Sequence, residues 1–93
     1  MPKQKYTCTF QNNLKKYRQQ RGYQRAEAAA RIGLPRVRAL SQWEKGVKMP
    51  DVISLFKLCI IYEASPLELY RDVMHRLNAY LNEDSENLPT IEF

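Results

Sequence analysis

Gly22, Gly33 and Gly46 are the only glycines in the chain, and each closes a short run of helical periodicity. Phe10, Leu14 and Tyr17 recur at i, i+4 and i+7 before Gly22, which predicts a first helix from Phe10 to Gln20 with Thr9 as its cap. Its other face carries Lys15, Lys16, Gln19 and Gln20. Gln24 to Ile32 is a second, alanine-rich helix with Ala28, Ala29 and Ile32 on one side, small residues that let another helix approach closely. Leu34-Pro35 turns the chain, and a third apolar pattern of Leu40 and Trp43 follows before Gly46. With helical periodicity nearly everywhere, no repeat and no low-complexity segment, the expected fold class is all-α.

Pro50-Asp51 opens a fourth helix, in which Val52, Leu55, Phe56 and Cys59 form a wide apolar face expected to be largely buried. Ser65-Pro66-Leu67-Glu68 reads as a capping box with proline at the first helical position, and starts a fifth. The pattern then runs on: Leu67, Tyr70, Met74, Leu77 and Leu81 alternate steps of three and four, with Val73 and Tyr80 beside them, the seam of a helix–helix contact. Two uses of this seam are open. Either Tyr70, Val73, Met74, Leu77 and Leu81 form the contact of a homodimer, the favoured reading, or the helix folds back over its own bundle.

A chain of 93 residues and 11.0 kDa has room for one compact domain and tails, which excludes most multi-domain enzymes. Its 44% hydrophobic and 27% charged composition is that of an ordinary globular protein. The sequence has no apolar run of the roughly 18–20 residues that a membrane span needs, and its start has no secretory signal, so a cytoplasmic, nucleoid-associated location is expected. Cys8 and Cys59 are too few and too badly spaced for zinc, and His75, the one histidine, has no ligand at metal spacing. No nucleophile–base pair, carboxylate pair or phosphate loop stands out. The expectation is no enzyme activity, no metal and no cofactor.

Charge divides the chain. Residues 1–50 carry twelve Lys/Arg against Glu27 and Glu44, a net +10, whereas residues 51–93 carry Lys57, Arg71 and Arg76 against eight acids, a net −5. A basic half suits a polyanion such as nucleic acid, although a solvated lysine-rich surface reads the same on charge alone. The third helix bears on the choice. With Leu40 at zero on an ideal helical wheel, Ser41 falls at about 100°, Lys45 at about 140°, Arg38 at about 160° and Gln42 at about 200°, on the face opposite Leu40. Arginine can donate both hydrogen bonds to guanine O6/N7 and glutamine can pair with adenine N6/N7, so this face has the chemistry for reading a major groove; a merely solvated face has the same pattern.

LKKYRQQRG at Leu14 to Gly22, AAARIG at Ala28 to Gly33, LSQWEKG at Leu40 to Gly46 with Pro50 after it, and LFKLCIIYEASPLELY at Leu55 to Tyr70 carry a family likeness. Over Asn13 to Tyr70 the chain resembles the Cro and lambda-repressor type of helix-turn-helix domain, a five-helix DNA-binding module. The resemblance implies that the second and third helices are the arms of the motif. It implies that Arg18 and Glu44 form a structural ion pair bracing the first helix against the third. Gln24, Arg25, Lys45 and Lys48 would meet DNA phosphates, with Arg25 in place of the usual glutamine strengthening nonspecific affinity and weakening the link from the second helix to the first recognition residue. Aligned backward from Trp43, Arg36, Val37 and Arg38 hold positions that usually touch bases, joined by Ser41 and Gln42. Gly33 to Trp43 is one residue longer than the family's usual spacing and includes Pro35, so Val37 faces either the bases or the core. Ala28 stands where a larger aliphatic residue is common, which implies closer packing or a slightly less stable core.

The expected organisation is an N-terminal arm (1–9), a helix-turn-helix domain (10–70), an extension of the fifth helix (71–81) and a flexible acidic tail (82–93). The expected function is a sequence-specific transcriptional regulator that places its third helix in the major groove of double-stranded DNA at an operator, as a homodimer with recognition helices about one turn, roughly 34–36 Å, apart. The alternative is an antitoxin or adaptor whose main partner is a protein, bound through the fifth helix or the tail.

Overall fold

The computed structural model describes residues 10–82. They form α1 (Leu14–Gln20), α2 (Arg25–Arg31), α3 (Val37–Glu44), α4 (Val52–Tyr62), α5 (Pro66–Leu69) and α6 (Arg71–Leu81), with no strand among them. The expected cap Thr9, the arm and the acidic tail beyond Asn82 lie outside the described residues.

Four helices end by the same device. The two residues after the cap turn back to donate to carbonyls in the last turn: Gly22 to Gln19 O and Tyr23 to Arg18 O, Gly33 to Ala30 O and Leu34 to Ala29 O, Gly46 to Trp43 O and Val47 to Gln42 O. The first residue of each pair is left-handed, with φ of 81°, 84° and 78°, which glycine adopts without a Cβ clash. At the end of α4 the same bonds run from Glu63 to Ile60 O and from Ala64 to Cys59 O, but here a glutamate holds the left-handed position at φ 54°. Lys57 Nζ also donates to Ile32 O at 3.2 Å, placing a cation at the C-terminus of α2.

Each of the first five helices sends at least one side chain fully into one core: Leu14, Ala28, Leu40, Leu58 and Leu69 are all 0% exposed. Ala28 is fully buried in this core, and α2 packs against α3, the two arms of the motif. Before α1 the structure departs from the expected helix: α1 begins at Leu14, and Phe10 to Asn13 form a clasp. Phe10 N–H donates to Gly46 O, Asn12 Nδ2 to Trp43 O and Phe10 O, and Asn13 N–H and Nδ2 to Leu69 O and Glu68 O. Phe10 keeps its apolar spacing because it still packs on the core, while its backbone bonds to the end of α3.

The expected face of α4 is also corrected. Leu58 and Tyr62 are buried and Leu55, Cys59 and Ile61 half-buried, whereas Val52 and Phe56 point outward with Ile53 and Ile60. The helix VISLFKLCIIY is apolar nearly all round, so its period leaves open which side meets the bundle.

The single long fifth helix is broken. Tyr70, at φ −125° and ψ 44°, ends α5 and precedes α6. Asn13 occupies the Glu68 and Leu69 carbonyls, which a continuous helix would offer to residues 72 and 73, and a side chain inserted into the ladder is a standard cause of a break. The seam divides accordingly. Tyr70 and Val73 belong to the chain's own core and Leu77 packs beside them, while Leu67, Met74 and Leu81 are exposed.

Candidate nucleic-acid interface

The expected reading face exists as a surface of α3. Leu40 and Trp43 anchor the helix in the core, which turns Arg38 outward; Arg36, the extended N-cap residue, is also exposed, and Ser41 and Gln42 are half-buried. Val37 is half-buried against the core edge, between the two orientations that its position left open. Gly33, Leu34 and Pro35 lie between Ile32, the cap of α2, and the extended Arg36 that caps α3. Lys45 and Lys48 are exposed at the other end, where the Gln42 carbonyl accepts from Val47 and, more weakly, from Lys48.

A polar brace sits beneath this face. Arg18 Nε donates to Glu44 Oε2 at 2.6 Å and Nη2 to Oε1 at 3.3 Å, while Nη1 donates to Tyr23 O at 2.8 Å. One guanidinium therefore ties α1, the turn before α2 and the end of α3. Burial first, and the Glu44 carboxylate second, push the nearby Tyr62 phenol far above its ordinary range, so it stays neutral beside the pair.

Arg25 is the residue whose role the sequence missed in part. Its Nη1 donates to Ser41 Oγ at 3.2 Å and its Nε lies 3.8 Å from Glu44 Oε1. Arg25 thus links α2 to the middle and the end of α3. No local signal in the sequence marks this pairing across sixteen positions. Gln24, Arg25 and Val37 meet Lys15 and Gln19 of α1 around one open cleft, so phosphate-binding candidates from α2 and a base-reading candidate from α3 share a surface with two polar residues of α1. Lys45 and Lys48 lie apart from it, past the C-terminal end of α3.

Other chemistry is sparse. Among the described residues no group of three or more His, Cys, Asp or Glu gathers as metal ligands, and no helix is long and apolar enough to cross a membrane. Cys59 is a half-buried free thiol whose pKa is raised by burial.

Neither curated proteins nor solved structures give a significant match to the chain. A helix-turn-helix family model, by contrast, matches residues 14–69, from the start of α1 to the end of α5. That span contains both arms of the motif, the brace and the exposed face of α3, and the chain accordingly belongs to the Cro/C1-type helix-turn-helix family of DNA-binding transcription regulators.

Proposed function

We propose that this chain regulates transcription by reading an operator through α3 laid in the major groove. The observation that carries the reading is the exposure of Arg36 and Arg38, with Ser41 and Gln42 beside them, on a helix whose opposite side is locked by Leu40 and Trp43. Arg38 pairs with guanine and Gln42 with adenine, the two side chains best suited to bidentate contact with base edges. Arg36 and Val37 meet the bases at the first turn of α3, and Ser41 contributes while held by Arg25. Gln24, Arg25, Lys45 and Lys48 contact phosphates, which fix register without reading sequence.

Selection from a random pool of duplexes at about 150 mM salt tests the reading, because weak phosphate-only binding is suppressed there. Recovery of one motif supports it. Salt-sensitive binding to every duplex, with no motif, overturns sequence reading and leaves the basic half as a nonspecific anchor or points to a protein partner.

A further inference from the structure

α4 presents a continuous apolar stripe to solvent. Val52, Ile53, Phe56 and Ile60 are 62, 60, 52 and 74% exposed. On an ideal helix these four side chains fall within about 100° of one another, and Val52, Phe56 and Ile60 follow the i, i+4, i+8 row in which neighbours touch. A stripe of this kind amounts to a few hundred Å², the size at which exposed apolar surface on a soluble chain marks an interaction site.

We propose that this stripe is the contact between two copies of the chain, α4 against α4 across a two-fold axis. Three observations select a second copy as the occupant. A residue near a two-fold axis meets its own image, so a charge there repels itself, and the stripe has none. The charges bordering it are engaged within the chain: Asp51 accepts from Ser54 N–H, Lys57 donates to Ile32 O, and Glu63 lies 3.3 Å from Arg21. Two such stripes face to face, with their rims, approach the about 1,000 Å² that a specific interface requires. α6 offers no equivalent surface. Tyr70 and Val73 are buried in the core and Leu77 is half-buried against it, which leaves only Met74 and Leu81 exposed there, with the polar Asn78 beside them.

The contact is independent of DNA and is tested without it. Sedimentation of the full chain over a range of concentrations gives the dimer dissociation constant for the wild type, F56E, I60E and the α6 controls M74E and L81E. All four sites are exposed, and far-UV circular dichroism with thermal melting checks that each variant keeps its fold. The expected result is a dimeric wild type, a dissociation constant raised about tenfold or more by F56E and by I60E, and little change for M74E and L81E. A monomeric wild type, folded F56E and I60E that dimerise as before, or dissociation caused by the α6 variants instead, overturns the proposal. Should F56E or I60E lose its fold, Phe56→Ser and Ile60→Ser replace them under the same criterion.

Discussion

The guanidinium of Arg18 and the carboxylate of Glu44 are joined by two hydrogen bonds, of 2.6 and 3.3 Å, with each side chain only 6% exposed. Such a pair is costly to break because the survivor is left charged in a dry site. Arg18→Ala or Glu44→Ala is expected to lower stability by about 3–5 kcal/mol, a large share of what a chain of this size has. Replacing both with apolar residues, Arg18→Met with Glu44→Leu, recovers much of that loss. Urea denaturation of the two single variants and the double variant checks this; single variants as stable as the wild type would show the brace to be incidental.

Glu63 holds the left-handed position that glycine takes at the ends of α1, α2 and α3. A side chain there costs about 1–2 kcal/mol, and the exposed ion pair with Arg21 offsets less than about 1 kcal/mol of it. Glycine's greater freedom when unfolded takes back part of the gain. Glu63→Gly is therefore expected to raise stability by about 0.5–1 kcal/mol. A shift of the denaturation midpoint to lower urea would contradict it.

The proposed roles on the DNA surface separate by their dependence on sequence and salt. Arg38→Ala or Gln42→Ala is expected to cost about 1–3 kcal/mol at the selected site and little on random duplex. Lys48→Ala weakens both and reduces the salt slope by about one. Fluorescence anisotropy titrations at several salt concentrations distinguish them, and identical profiles for Arg38→Ala and Lys48→Ala would refute the division of labour.

Tyr62 and Tyr70 predict a loss of stability in alkali. Burial raises both phenols far above their ordinary range, with Glu44 adding to the effect at Tyr62. The unfolded chain then releases these protons first, so stability is full below the unfolded phenol value of about 10 and falls as pH rises past it. Neither hydroxyl has a hydrogen-bond partner among the described residues. Tyr62→Phe removes one such group and is expected to stabilise by about 1 kcal/mol near neutrality, and to flatten the alkaline decline. Denaturation curves at neutral and alkaline pH check both statements, and a decline of unchanged steepness in the Tyr62→Phe, Tyr70→Phe double variant would rule them out as its source.

Asn12 joins the segment before α1 to the end of α3 by donating to Trp43 O and Phe10 O, while its Oδ1 accepts from Leu14 N–H. Asn12→Ala is expected to cost about 1–3 kcal/mol, since it leaves partly buried backbone groups without their partner. Faster hydrogen exchange at the C-terminal end of α3 is the signature; unchanged protection there would show that the clasp does not hold the helix.

Signals that act within a turn or two of backbone were legible in the residues alone. Glycines at 22, 33 and 46 mark where α1, α2 and α3 stop, because the left-handed cap is a local requirement, and Ser65 and Glu68 mark the start of α5 because the capping box closes over three residues. The outward turn of Arg38 was legible too, because Leu40 and Trp43 leave α3 one apolar side. The pairing of Arg18 with Glu44 came from the family likeness, since nothing local connects positions 26 apart. Only the tertiary structure decided the rest. Asn13 reaches across 55 positions to take the Glu68 carbonyl, and the helix expected to run unbroken to Leu81 ends at Tyr70. α4 is apolar on nearly every side, so the number and placement of its neighbours chose Leu58 and Tyr62 for the core and left Phe56 and Ile60 outside. Local backbone chemistry sets where helices begin and end, but burial is a competition for a limited number of neighbours, and only the assembled bundle settles which residues find one.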